Sequence, residues 1–357
     1  MTEKKVALIV YSDTDFGGAE RRLIRIYNEL GKKHKCDIVV RGSKREDFVQ
    51  RLKKADCDVS NINKIIFFEN NIKCLVYLIL HKKYSTVHYL DVCGFNQKIA
   101  SIMNLLKVNT LLTVAYQNYA YGIIDIETRA KLSKLINTSY KVDVLFPEGK
   151  KFFPTISSNC NITVTPGTFT QIDLFLPGKK DKILLFAAAR LEKDKNAELL
   201  IEASYRCASV LRKEGYKVVI CGKDFEEQYL RNKIHNYCID DIVKMPGYVK
   251  ISEVFPNVEL FFCLDLIDNY PSQTIAEAVS CGCAIICTDV GYSRMCGTSD
   301  FIKFVRNDAS DLSRAIELYI TKSDKQKDAI VRAARKYALE NYSIKTSADY
   351  FERLLWK

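Results

Sequence analysis

The sequence predicts an α/β protein built from two doubly wound domains, and three observations carry that expectation. Short apolar runs of strand length recur along the chain, each followed by a glycine or polar loop and then by residues with helical spacing. One stretch, residues 260–291, spells the whole unit of such a sheet. It has a buried run at 260–264, a break at Tyr270-Pro271, helical spacing over 274–280, Gly282 as a left-handed stop, and a second run at 284–287. Midway, residues 163–181 mix Pro, Gly and polar residues before a new strand starts at Lys182, which marks a linker. A chain of 357 residues has room for two ordinary domains.

In the first half, residues 6–11 form a buried strand. Ala19, Leu23, Ile26 and Leu30 then line one face of a helix, with Gly17 and Gly18 at the turn between. Strands follow at 36–40, 87–90 and 110–114, with crossover helices at 72–80 and 96–106. Asp13-Thr14-Asp15 matches a metal-binding triplet in form, but triplets of this kind recur by chance. The four histidines are scattered and form no zinc cluster. Of these only His88, read as lying at a strand end, is placed to reach a cleft; a structural histidine is the other reading. Leu75, Leu78 and Ile79 beside Lys73, His81, Lys82 and Lys83 form a basic amphipathic stretch, and residues 129–141 form another. Such helices either face a core or lie on anionic lipid.

Composition narrows the function. Apolar residues make up 48% of the chain, so a disordered protein is excluded. The formal charge of +11 favours an acidic partner such as a nucleotide or a membrane surface. Nucleic acid is not expected, because the basic residues are dispersed and no binding motif appears. Thirteen cysteines lack metal-ligand spacing, and Cys263, Cys283 and Cys287 sit in apolar runs. With no signal peptide and an odd cysteine count, a reducing cytoplasm is the expected location, with attachment to the inner face of the membrane as an addition. No apolar run is long enough to span a bilayer.

In the second half, the strand from Lys182 leads to Arg190 and Lys195-Asn196, then to a helix with Leu200, Ala203, Cys207 and Leu211 on one face. Residues 217–221 repeat the strand-to-glycine step at Gly222. These pieces, together with Gly247-Tyr248-Val249, Tyr270-Pro271-Ser272-Gln273-Thr274-Ile275-Ala276-Glu277, Cys281-Gly282 and Thr288-Asp289-Val290-Gly291, resemble the nucleotide-sugar glycosyltransferases of the GT-B fold, retaining family 4. The resemblance is strong from Lys182 to Gly291 and weak over residues 36–158.

The resemblance implies two facing Rossmann-like domains: an acceptor-side domain at 1–165, a nucleotide-sugar domain at 166–335, and a C-terminal helix at 336–357 that returns to the first. It implies a retaining transfer from a nucleotide diphosphate sugar, as co-substrate and without a resident cofactor or metal, to a glycan or lipid-linked acceptor. Arg190, Lys195 and the amide end of the helix at Ser272, Gln273, Thr274 and Ile275 would meet the departing phosphate. Glu277 would hold the ribose, Gly247, Tyr248 and Val249 the base, and Gly17 and Gly18 the phosphates. Thr274-x-x-Glu277 also reads as a capping box, which would occupy Glu277 locally. The family's first acidic place falls on Asn269 by spacing, while Asp268, one place earlier, is the chemically stronger partner for a sugar hydroxyl. A histidine common in the family is replaced by Ala115-Tyr116-Gln117. Two rival functions follow from these departures: a nucleotide-sugar epimerase of the same fold, and a non-catalytic glycan- or nucleotide-binding relative.

Overall fold

The computed structural model describes residues 5–11, 18–41, 45–54, 57–80, 84–90, 94–115, 126–145, 161–223 and 226–356. The chain divides into two compact units, residues 1–166 with Ile344–Lys357, and Gly167–Ser343.

The first unit runs β1 (Lys5–Tyr11), α1 (Gly18–Leu30), β2 (Lys35–Arg41), α2 (Arg45–Lys54), β3 (Lys64–Phe68), α3 (Asn71–Leu80), β4 (Tyr84–Leu90), α4 (Gly94–Leu105), β5 (Asn109–Val114), α5 (Ile126–Thr138), β6 (Lys141–Val144) and β7 (Asn161–Val164). Neighbours pair in parallel in the order β3-β2-β1-β4-β5-β6-β7. A parallel pair needs a crossover, so helices cover both faces and the central strands become continuously apolar. Ile9, Val39, Val87 and Leu112 are fully buried for that reason. Strand order reverses between β1 and β4.

The sequence reading passed over α2, β3, β6 and β7. Among the described side chains of α2 only Phe48 and Leu52 are buried, and β3 is a half-buried edge strand, so neither shows a strong pattern. Strand β7 occupies the start of the expected linker, and the division between units falls after Pro166. The apolar residues expected on α3 (Leu75, Leu78, Ile79) and on α5 (Leu132, Leu135, Ile136) all pack on the core, and it is the other side of α3 that exposes Ile72, Val76 and Leu80 at a spacing of four.

The second unit runs β8 (Asp181–Arg190), α6 (Ala197–Arg206), α7 (Ala208–Glu214), β9 (Lys217–Lys223), α8 (Glu227–Asn236), β10 (Val243–Gly247), α9 (Ile251–Val254), β11 (Val258–Cys263), α10 (Gln273–Ser280), β12 (Ala284–Thr288), β13 (Ile302–Val305), α11 (Ala309–Ile320) and α12 (Asp324–Asn341). Its parallel sheet has the order β10-β9-β8-β11-β12-β13. The helix expected over 200–211 is two, α6 and α7, broken at Cys207, whose thiol donates to the Ala203 carbonyl. Gly282 has φ +75°, and a Cβ there would lie 2.8 Å from Val331 Cγ1, so glycine lets α12 close on the end of α10.

Thr170 N–H donates to the Tyr342 carbonyl, so the entry and exit of this unit lie side by side. Helix α12 continues to Asn341, which keeps residues 336–343 in the second unit. The chain then forms α13 (Ile344–Trp356), which belongs to the first unit and packs on α1 and β4 through buried Phe351 and Leu355. Among the described residues no helix is long and apolar enough to cross a membrane.

Candidate active site

In the second unit, β9 and β10 lie on one side of β8, and β11, β12 and β13 on the other. Strands β8 and β11 therefore flank the point where strand order reverses. Loops leaving their carboxyl ends diverge there, and the crevice between them is where open α/β sheets bind ligands. A cavity of about 170 Å³ occupies that place, lined by Arg190, Lys195, Asp265, Asn269, Ser272 and Thr274 among others. A larger cavity of about 600 Å³ lies against the start of β12 and against α11. It is at the amino ends of the strands, away from the amides of α10, so the smaller one carries the candidate chemistry.

Lys195 ends a 3-10 turn, Lys193–Lys195, and Asn196 follows in the left-handed region at φ 60°, a conformation that asparagine tolerates. This geometry turns the Lys195 side chain toward β11. Its Nζ donates to Asp265 Oδ1 at 2.7 Å and lies 3.8 Å from Asp194. Burial pushes the Lys195 pKa down, but the charge and hydrogen bond of Asp265 outweigh it, and the net direction is up. Lys195 is thus an ammonium at neutral pH. Arg190 is more open, with 65% of its side chain exposed, and its Nε meets Glu192 at 3.1 Å.

Ser272 caps α10, its Oγ accepting the Ile275 N–H at 3.4 Å. The N–H groups of Gln273 and Thr274, in the first turn, have no partner inside the helix and lie at its positive end. Because the cap is Ser272 and not Thr274, the Thr274–Glu277 capping box does not form. Glu277 accepts instead from Gln273 Nε2 at 3.2 Å, and Gln273 Oε1 accepts from Thr168. Two cations, free amides and small hydroxyls in one crevice can hold a diphosphate and stabilise charge that builds on it.

The structure brings Arg190, Lys195, Asn269, Ser272 and Thr274 together. Ile275 is a core residue through its side chain, and its amide is spent on the cap. Asn269 Nδ2 donates to Asp265 Oδ2 at 3.3 Å. Asp268, the chemically preferred candidate, does not line this cavity. Its Oδ1 accepts the Tyr270 N–H, and its Cβ lies 2.3 Å from where a Cβ on Gly291 would stand. Gly247 closes β10 at φ +85°, Tyr248 is 69% exposed, and Val249 packs on the core. Gly18 opens α1 in the first unit, while Gly17, Asp13, Asp15, Tyr116 and Gln117 lie outside the described residues.

His88 is not a cleft residue. It is fully buried, with Nδ1 3.0 Å from Tyr27 Oη and Nε2 2.9 Å from Thr113 Oγ1, and Phe351 stacks on its ring. Burial lowers its pKa to about 3. The residue that sequence reasoning missed is Asp265. Its signal was an acidic residue directly after the buried run 260–264, where a strand end meets a loop.

Residues 171–337 match the family model of glycosyl transferases group 1. A curated relative from Campylobacter jejuni, N-acetylgalactosamine-N,N'-diacetylbacillosaminyl-diphospho-undecaprenol 4-alpha-N-acetylgalactosaminyltransferase, is 24% identical over 62% of this chain and 64% of its own. The match thus spans less than two thirds of that protein's length. Among solved structures, a glycosyltransferase from Rickettsia africae superposes with a TM-score of 0.76 at 16% identity, covering 99% of this chain and 98% of that one. HepE from Anabaena, in complex with UDP and glucose, gives 0.71 at 15% identity with 99% of both chains covered.

Proposed function

We propose, from the premise that this chain is a glycosyltransferase of the GT-B fold carrying a group 1 domain at residues 171–337, that it moves a sugar from a nucleoside diphosphate sugar to a glycan or lipid-linked acceptor with retention at the anomeric carbon. The observation that carries the reading is the pairing of Arg190 and Lys195 with the amide end of α10, at the point where strand order reverses. Uridine is the favoured base, since a structural neighbour over the whole chain holds UDP and glucose. A lipid-linked acceptor for a surface glycan is favoured by the relative named for a diphospho-undecaprenol substrate.

In this reading the bond from the anomeric carbon to the departing diphosphate breaks, and the bond to the acceptor oxygen forms on the same face. Arg190, Lys195 and the Gln273 and Thr274 amides hold the charge left on the diphosphate, which takes the acceptor's proton. Glu277 holds the ribose, and Gly247, Tyr248 and Val249 lie along the base. His88, the histidine expected to reach the cleft, is buried, which favours the transferase reading over an epimerase that would need acid-base groups there. The exposed Ile72, Val76 and Leu80 of α3, beside Lys73, favour attachment to an anionic membrane surface, where such an acceptor would lie.

A screen of UDP-sugars for release of free sugar and UDP tests the reading. Turnover is expected and should fall by about tenfold to a thousandfold in Arg190→Ala or Lys195→Ala. EDTA should leave the rate unchanged, because cations and amides meet the phosphate charge. Nucleotide binding without any sugar release would support the non-catalytic relative instead, and unaltered turnover in both variants would remove the site.

A further inference from the structure

Asp265 is the most buried charged group of the crevice, and neither the family resemblance nor the reading above gives it a role. Its side chain is 8% exposed and takes three donors. Lys195 Nζ reaches Oδ1 at 2.7 Å, while Asn269 Nδ2 at 3.3 Å and Cys263 Sγ at 3.1 Å reach Oδ2. Lys195 comes from the loop after β8 and Asn269 from the loop after β11. One carboxylate thus fixes two cavity residues that belong to separate loops.

The backbone adds to the fixation. Leu266 N–H donates to the Asp194 carbonyl at 2.8 Å, which staples the same two loops next to the ion pair. Thr288 Oγ1 donates to the Asp265 carbonyl at 2.7 Å, which ties the residue to β12. The Lys195 turn is closed from within by its own N–H to the Glu192 carbonyl. A buried ion pair is a poor device for stability alone, since desolvation offsets much of its attraction. Its value lies in what it orients. Lysine has a flexible four-carbon stem, and an ammonium that must meet a diphosphate works best when its position is set beforehand.

We propose that Asp265 is the positioning residue of this site, holding the Lys195 ammonium for the departing diphosphate and the Asn269 side chain beside the donor sugar. The inference rests on the glycosyltransferase reading. It also explains why Lys195 stays charged in a half-buried place. The titratable groups facing it are Asp265, Asp194 and Cys263, with Arg190 and Glu192 along the same cavity, and Asp265 makes the shortest contact. Without that carboxylate, burial is opposed mainly by the more distant Asp194, and the Lys195 pKa moves down.

The test uses the full chain with UDP for binding and UDP-glucose and UDP-N-acetylglucosamine for turnover. Asp265→Asn removes the charge and keeps the shape, whereas Asp265→Glu keeps the charge. Expected for Asp265→Asn are a loss of about tenfold to a hundredfold in kcat, a change in KM and UDP affinity within about threefold, and an alkaline limb of the kcat profile moved to lower pH. Asp265→Glu should hold the alkaline limb where the wild type has it, which a merely structural carboxylate would not require. An Asp265→Asn enzyme with unchanged kcat and unchanged alkaline limb overturns the positioning role. So does one that binds UDP more tightly and turns over faster, since Asp265 would then be a competitor for Lys195. Wild type that neither binds UDP nor releases sugar removes the functional reading itself, and the positioning role with it.

Discussion

Acid should loosen the first unit through one histidine, and the structure gives the size of the effect. Thr113 Oγ1 donates its single hydrogen to Asp143 Oδ2 at 3.0 Å, so it accepts from His88 Nε2–H. Tyr27 O–H then donates to Nδ1. The neutral ring is satisfied at both nitrogens, and a second ring proton would meet a donor in a fully buried place. The folded pKa of about 3 lies below the ordinary 6.5, so between these values only the unfolded chain binds the proton. The stability from the neutral ring is complete above pH 6.5, is lost as pH falls, and is exhausted near pH 3. At about 1.4 kcal/mol per pH unit, the full window is worth on the order of 5 kcal/mol, and the fall to pH 5 about 2 kcal/mol. Asp143 titrates in the opposite sense, because burial raises its pKa, but it is present in both proteins to be compared. The chain's one tryptophan, Trp356, sits on α13 in the first unit, so its fluorescence during urea unfolding reports that unit. Wild type should lose about 2 kcal/mol more than His88→Gln between pH 7.5 and pH 5. Equal losses in the two proteins would refute the argument.

Two further outcomes concern the second unit, one in the crevice and one in its glycine turns. Asn269→Ala should lower transfer by up to about tenfold, the value of one hydrogen-bonding group, while Asp268→Asn should change it by less than about threefold at equal UDP affinity. Steady-state kinetics with titrated UDP distinguishes the two, and the reverse order would restore Asp268 as the sugar contact. Gly222→Ala should destabilise the second unit by about 2 kcal/mol or more, because its Cβ would stand 2.5 Å from the Ala188 carbonyl oxygen at φ +149°. Gly247→Ala, at φ +85° with open space around it, should cost only about 1 kcal/mol of conformational strain. Equal urea midpoints for the two variants would contradict the steric account.

The second unit was more legible than the first for a physical reason. Its central strands carry unbroken apolar runs, at 183–189, 260–263 and 284–287, and glycines that the backbone needs, such as Gly222 and Gly282, stand beside the strand ends. In the first unit α2, β3 and β7 bury few side chains, so their periodicity is faint. Charge placement resisted reading more than strand placement did. Spacing marks Arg190 and Lys195, but whether a carboxylate meets them depends on which loops the sheet brings together. Asp265 lies 70 residues from Lys195 and reaches it only because β8 and β11 are neighbours. Asp268 and Asn269 are adjacent in sequence, yet the turn before Pro271 sends one to the Tyr270 amide and the other to the crevice.

The two cations are held in different ways, and this difference yields a last prediction. Lys195–Asp265 is largely withdrawn from solvent, with side-chain exposures of 28% and 8%. Arg190–Glu192 is open, at 65% and 32%, and such exposed pairs are worth about 0–1 kcal/mol. A diphosphate entering the crevice offers Arg190 two parallel acceptors, a better match for a guanidinium than one exposed carboxylate oxygen. The cheap pair should therefore open while the buried one stays closed, leaving Lys195 fixed and Arg190 recruited by the ligand. Glu192→Gln, which removes the competing charge, should then tighten UDP binding by up to about fivefold, with little change in kcat. Calorimetric titration with UDP at low and high salt measures this, and the gain should shrink as salt screens the exposed pair. Weaker UDP binding in Glu192→Gln would mean that Glu192 orients Arg190 in the bound state too, and that both cations are fixed in advance.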